Sequence, residues 1–431
     1  MTRRHAFTLA ALLVAASVIS VVVLTLPQSP PGGSPTTSPT PTPVTSPPAT
    51  PTPTPTPKPT PTGGPPPNTV HTADAYRAHY NGAYVGWDRL IEAGKKVPKN
   101  SAACRSAWQQ ARRDPGLNWD KAGYLCLNRL VGRGFKPQGI SGSGAIQGYR
   151  IAGKPAARRN IVLVTSYSTA RQPKLRFPNV PGRTEATRLT VIDLDRSRYN
   201  TVELVKPDED DTFVSLGSHG SGLAWVGQYL YSSSRTALWM YNADDLMQID
   251  GHFVLPAVAR WSVAGNGGLS SLGLERTRRE TRLISITYSE TGTAWSHTFP
   301  LDATGLLRRS KQRAADELTL TSSYGPGPDL VHSTASSIVP GSNYQGIGAI
   351  GRHRIANSSS LMLDGRRRGD NLVILEKKTR MIARFSMPKE NLESLYLDPR
   401  RRRYVTITEH GQQFLFWLPV DHLLDRAGVE D

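Results

Sequence analysis

A chain of 431 residues with 38% hydrophobic residues and a net charge of +18 can bury a substantial core, as roughly two or three domains or as one long β-propeller or barrel. Its two cysteines exclude a four-thiolate zinc site. The positive charge lies outside the Pro/Thr-rich segment, where Lys58 is the only charged residue, and gathers in runs such as Arg366–Arg368 and Arg400–Arg403. Such runs read as a solvated surface or as an attraction to an anionic polymer.

Residues 1–27 read as a signal peptide or signal anchor. Arg3, Arg4 and His5 precede an uncharged, mostly apolar run, Phe7–Leu26, about as long as a bilayer crossing requires. Thr25-Leu26-Pro27-Gln28 makes a poor cleavage site, which favours an uncleaved anchor with its N-terminus inside; a cleaved signal is the alternative. Both place the rest of the chain outside the cytoplasm. Residues 28–70 are a disordered Pro/Thr-rich linker that cannot bury a core. At about 3.1 Å per residue in polyproline II it would reach on the order of 120 Å, a stalk for whatever follows.

Residues 71–135 read as a helical prefix, with helices over Ala73–Ala93, Ala102–Arg113 and Asp120–Val131, the last capped by Asp120. The apolar stripe Tyr76, Tyr80, Tyr84, Trp87, Leu90 and Ile91 reads as a packing face rather than a sugar platform. Cys104 and Cys126 suggest one disulfide between two adjacent helices, with two free thiols as the alternative.

From Lys136 the period changes to that of strands. Five stretches start alike: Pro137-Gln138-Gly139-Ile140, Ser221-Gly222-Leu223, Ser270-Ser271-Leu272, Tyr344-Gln345-Gly346-Ile347 and Leu392-Glu393-Ser394-Leu395. The gaps between their apolar residues are 83, 49, 75 and 48. Two gaps match one propeller blade, and the long ones carry polar inserts, Thr169–Arg188 and Asp302–Ser342. The expectation is an all-β fold, a five-bladed β-propeller over residues 136–428, with six blades if a long gap conceals one. Small residues at the strand starts fit innermost strands crowded around an axis. The second and third strands are expected at Ile161–Ser166, Leu189–Leu194 and Tyr199–Val205; at Tyr229–Ser233 and Ala237–Tyr241; at Leu283–Thr287 and Trp295–Phe299; at Ser359–Leu363, Asn371–Leu375 and Met381–Ser386; and at Tyr404–Thr408 and Phe414–Leu418.

At His219–Trp225 (HGSGLAW), Tyr229-Leu230-Tyr231, Leu392–Asp398 (LESLYLD) and Thr406–Gly411 (TITEHG) the chain resembles an uncharacterised secreted β-propeller protein family of actinobacteria. The resemblance covers roughly Lys136–Leu424 and implies a propeller and export, with no known activity. The chain departs from the family pattern at Ser232-Ser233, where an Asp-Thr is usual, and in lacking a proline in the Glu-His turn.

Propeller ligands bind where inner strands and their loops converge, which makes His219, Glu393, Glu409 and His410 the candidate pocket. A carboxylate with an imidazole could move protons or ligate a metal; the same residues could equally tie blades together. Paired carboxylates of a glycosidase would come from Glu275, Glu393 and Glu409. Lys206–Asp211 (KPDEDD) lacks the spacing and glycine of a calcium loop, and Arg368-Gly369-Asp370 reads as a chance occurrence of an adhesion tripeptide. No nucleophile elbow, phosphate-cradling loop or His-Glu-x-x-His is present. The expectation is a monomeric binding or scaffolding module at the cell envelope, with no cofactor, no metal and no nucleic-acid partner. Its ligand would be an anionic or carbohydrate polymer. The alternative is a glycan-active hydrolase or lyase, which requires at least two of the candidate side chains to share a cleft.

Overall fold

A computed structural model describes residues 73–112, 116–168, 186–208, 212–265, 267–290, 293–311, 317–377, 379–388 and 391–429. The segment read as a signal or anchor and the segment read as a linker lie outside these residues, as do 209–211 of the acidic turn and most of the first polar insert. Among the described residues no helix is long and apolar enough to cross a membrane.

The five small-residue starts each open an inner strand: Phe135–Gly142, Gly222–Val226, Ser271–Arg276, Tyr344–Ile350 and Leu392–Asp398. Each inner strand begins a run of four antiparallel strands, and the first two runs belong to one larger sheet, joined where residues 253–256 pair in parallel with residues 202–205. The first sheet continues through Ile161–Ser168, Thr187–Asp193 and Arg198–Pro207, and the second through Tyr229–Ser234, Ala237–Asn242 and His252–Ala264. The third runs through Thr281–Ile286, Ala294–Pro300 and Ala335–Val339, and the fourth through His353–Ser358, Asn371–Glu376 and Arg380–Ser386. The fifth contains Arg403–Thr408 and Phe414–Pro419, and its outermost strand is Gly123–Cys126, drawn from before the first sheet. The inner strands touch their neighbours in sequence, and the fifth returns to the first. Sheets arranged radially in this way make a β-propeller.

The glycines of the inner strands follow from this crowding. A Cβ at Gly346 would sit 2.5 Å from the Leu395 backbone nitrogen of the next sheet, and one at Gly222 would sit 2.5 Å from that of Leu272. One residue further along, Ile140, Leu223, Leu272, Ile347 and Leu395 are all buried, each an apolar plug in a separate hydrophobic cluster.

The prefix departs from three helices. Its first predicted helix is two, Ala73–His79 and Trp87–Glu92, broken at Asn81-Gly82, where Asn81 takes φ 49°. The second forms as Ala102–Ala111, capped by Ser101. The third is mostly strand: Asn118 caps a short 3-10 turn, Gly123–Cys126 pairs with Phe414–Trp417, and only Asn128–Val131 is helical. Gly123 weakens a helix there and lets the strand lie against the Trp417 ring, where a Cβ would clash. The predicted packing role of the stripe is what the structure contains. Trp87 lies 4.8 Å from Trp225 and donates to the Ala243 carbonyl, Tyr80 packs on Phe213, and of the stripe only Tyr84 is substantially exposed.

Two further strand expectations change. The second strand of the fourth sheet is His353–Ser358, not Ser359–Leu363, which holds a turn and a two-residue hairpin arm. Arg354 disguised it: this arginine is 2% exposed, and its two Nη atoms donate to Glu275, Ser296 and Thr298 of the third sheet. The insert after Asp302 supplies Thr319–Tyr324 and Leu330–His332, which extend the second sheet's edge, and then the outer strand of the third. Among the described residues it contributes no sixth four-stranded sheet.

The disulfide Cys104–Cys126 forms, but it joins a helix to the closing strand rather than two helices. For a separation of 22 residues, its loss costs about 3 kcal/mol of chain entropy. Cys104→Ser with Cys126→Ser is therefore expected to lower the unfolding free energy by that amount, seen as a lower urea midpoint; an unchanged midpoint would mean that the link constrains nothing.

Candidate functional site

At the end of the propeller where the inner strands start lies a cavity of about 710 Å³. Its floor has a five-fold logic. Gln138, Ser221, Ser270, Gln345 and Glu393 all line it, and each stands two residues before its sheet's apolar plug residue. The three long side chains coincide with register shifts in their strands, between Pro137 and Ile140, Tyr344 and Gly346, and Leu392 and Leu395. A bulge of this kind re-aims a side chain, here toward the axis. The two serines precede strands that pair without interruption.

Glu393 is the one carboxyl of this ring. Its backbone carbonyl accepts from Asn357 Nδ2 at 2.9 Å, and Asn357 is itself held by Thr406 and the Tyr404 hydroxyl, so the bulge is clamped between the fourth and fifth sheets. Its side chain is 2% exposed and within hydrogen-bonding reach of Glu409. Burial, then the Glu409 charge, pushes the Glu393 carboxyl well above the usual range. Both effects favour the protonated form of Glu393, the form that can share its proton with Glu409.

Glu409 sits in the turn after Arg403–Thr408 and reaches across to the first sheet. Lys136 Nζ lies 3.3 Å from its Oε1, the Tyr167 hydroxyl donates to the same oxygen at 3.2 Å, and His410 Nε2 is 3.2 Å from Oε2. The pair thus sits where the ring closes. His219 stands exposed at the rim with its ring 4.2 Å from that of Tyr167. Of the four predicted residues, His219, Glu393 and Glu409 line one cavity; His410 touches it only through Glu409.

The opposite wall is basic and aromatic. Arg260 lies over the Trp239 ring at 5.2 Å and is hydrogen-bonded to Ser262 and Ser323, with no carboxylate partner among the described residues. Arg235 is exposed on the turn beside it. Arg235 and Tyr288 also border a second depression of about 510 Å³ that includes Trp295 and Glu290, so the cleft continues outward over the third sheet. Burial and the charges of Glu290 and Glu393 raise the Tyr288 hydroxyl.

Sequence reasoning missed Gln138 and Gln345, although the repeated Gln-Gly-Ile at 138–140 and 345–347 carried the signal. Trp239, Arg260, Tyr167 and Tyr288 had none, because they come from outer strands and turns. Glu275 does not join the cleft; it pairs with Arg354 at 3.1 Å and Arg282 at 3.6 Å. Nor is Arg368-Gly369-Asp370 displayed for adhesion: Asp370 is buried and accepts from the Ser360 and Asn391 backbone amides. Among the described residues no cluster of three or more His, Cys, Asp or Glu side chains could hold a metal.

Sheets, ring and cleft together define a β-propeller with a polar axial cleft. No protein-family model matches the sequence, and no curated protein is significantly similar to it. Among solved structures, the chain is similar to Myxococcus xanthus glutaminyl cyclase, 12% identical over 69% of this chain and 95% of that one, with a TM-score of 0.35. It is also similar to Sqt1 from Chaetomium thermophilum (11% identity, 64% and 68% coverage, TM-score 0.29) and to the propeller domain of Cps50 (Swd1) from Myceliophteria thermophila (12%, 65% and 83%, 0.29). At these scores the likenesses add no argument to what the sheets themselves establish.

Proposed function

We propose that this chain is a non-catalytic binding module of the cell envelope whose axial cleft takes an acidic carbohydrate. The observation that carries this reading is the two-sided lining of the cleft. Gln138, Gln345 and Ser221 offer paired donors and acceptors suited to hydroxyls, Tyr288 offers a ring suited to stacking on a sugar, and Arg235 with Arg260, which lies over Trp239, suits a carboxylate or sulfate. Export on a Pro/Thr stalk, in the manner of the secreted actinobacterial propellers that the chain resembles, is part of this proposal. It is supported by residues 1–27, by the linker and by a disulfide, a bond that persists in oxidising compartments.

The glycosidase alternative needs two carboxyls about 5–5.5 Å apart for retention or about 6.5–9.5 Å apart for inversion, with the sugar between them. Glu393 and Glu409 are close enough to share a proton, and Glu409 is already engaged by Lys136, Tyr167 and His410. That arrangement favours a structural proton over a travelling one.

The test is a panel of neutral and uronate-bearing oligosaccharides presented to the full chain. Binding confined to the uronate-bearing members, and weakened tenfold or more by Tyr288→Ala and by Arg260→Gln, is expected. Equal binding of neutral sugars, or cleavage of any member, would overturn the proposal.

A further inference from the structure

The other end of the propeller has a different character. Turns that leave the inner strands there crowd around the axis and are strongly basic. The first carries Arg150, Lys154, Arg158 and Arg159, and the fifth Arg400, Arg401 and Arg402. Much of the fifth turn is spent internally, since Arg401 pairs with Asp398 and Arg402 with Asp421.

The third turn is not. It borders a cavity of about 520 Å³ between the second and third sheets, lined by Arg276, Arg278, Arg279 and Arg308 together with Glu280 and Asp302. Both acids are already committed. Glu280 binds Arg282 and lies 3.5 Å from Arg308, while Asp302 Oδ1 accepts from Thr304 N at 2.8 Å, Thr304 Oγ1 at 2.7 Å and Leu306 N at 3.0 Å. Arg276, Arg278 and Arg279 have no carboxylate partner among the described residues. Arg276 is the telling one. It is half-buried beside the cavity, and its Nε and one Nη are enclosed with no hydrogen-bond partner. Partial burial of a guanidinium with no carboxylate beside it is costly, and a bound anion would offset that cost.

We infer that this cavity is a binding site for a phosphate- or sulfate-type oxyanion, with Arg276 at its base and Arg278 and Arg279 closing over the ligand. Several guanidinium forks around one point suit a multiply charged tetrahedral group better than a single carboxylate. The site is independent of the axial cleft, which opens at the opposite end.

The experiment is thermal unfolding of the full chain with inorganic phosphate, sulfate or acetate at constant ionic strength, with methyl phosphate and a sulfated monosaccharide as arms that separate the two ester sources. Phosphate or sulfate is expected to raise Tm above the acetate value through preferential binding to the folded state. Arg278→Ala with Arg279→Ala should weaken that binding tenfold or more while leaving the Tm in acetate unchanged. Arg276→Met should abolish it and raise the Tm in acetate. Trp239→Ala, in the other cleft, should leave it intact. Equal effects of acetate and phosphate, or a rise that survives in the exposed double variant, would overturn the inference, because salting-out acts without a site. The exposed pair keeps the test decisive even if Arg276→Met does not fold.

Discussion

A chain that begins at Gly132 is expected to lose cooperative folding instead of folding as a trimmed propeller. The fifth sheet takes its fourth strand, Gly123–Cys126, from the segment that would be removed, so the deletion leaves three strands there and bares the Phe414–Pro419 edge. It also strips the cover from that sheet. Trp108 is 3% exposed, stacks on Tyr124 at 4.7 Å, and lies 5.4 Å from Phe414 and 5.3 Å from Phe416. Trp87, Leu90 and Ile91 would likewise leave the core shared with the first two sheets. Within the intact chain, Trp108→Ala alone should cost about 3–5 kcal/mol, the range for emptying a large aromatic site. Both predictions are checked by urea unfolding. A truncated chain with the full-length midpoint would mean that the propeller closes without its prefix.

Glu393→Gln is expected to stabilise the protein at neutral pH and to flatten its pH dependence. The folded protein holds the Glu393 proton well above the usual range because of burial and the Glu409 charge, whereas the unfolded chain releases it near pH 4.3. Between those limits the unfolded state binds fewer protons, so wild-type stability falls as pH rises, by about 1.4 kcal/mol per pH unit from this group. The contribution is complete below the unfolded value and gone above the folded one. Glutamine can still donate to Glu409 without a proton to lose, so the slope should be absent from that variant. Chemical denaturation from pH 4 to pH 9 measures it. Parallel wild-type and variant curves would mean that Glu393 is ionised in the fold. The same variant separates the functional readings, since a binding cleft should tolerate it and an acid catalyst should not.

What could be read from the residues, and what could not, follows from where the information is local. The inner strands were legible because crowding at the axis demands small residues at one position and an apolar plug two positions after the polar one. That demand recurs five times with little variation. The second strand of the fourth sheet was illegible because Arg354 is buried through partners 56 to 79 residues away, which no local pattern reports. The closing strand was misread because DKAGYLCLNRLV has helical spacing, and only the distant Trp417 makes Gly123 a strand residue. The site divides in the same way. His219 and Glu393 sit at the starts of inner strands, Glu409 in the turn after the strand beside one, and all three were found. Trp239 and Arg260 reach the cleft from outer strands, and their role exists only once the sheets are assembled. Glu275 was a reasonable carboxylate from composition alone, yet it lies near the far end of its strand, past the plug, and is spent on Arg354.

The central claim is that ligand binds in the axial cleft. Hydrogen–deuterium exchange on the full chain, with and without a saturating uronate-bearing tetrasaccharide, tests it most directly. The account predicts new protection in peptides covering 135–142, 217–222, 234–239, 285–289, 344–348 and 392–396, the segments that converge on the cleft. Protection confined to the turns at 150–159, 276–280 and 399–402, or none at all at saturation, would contradict it.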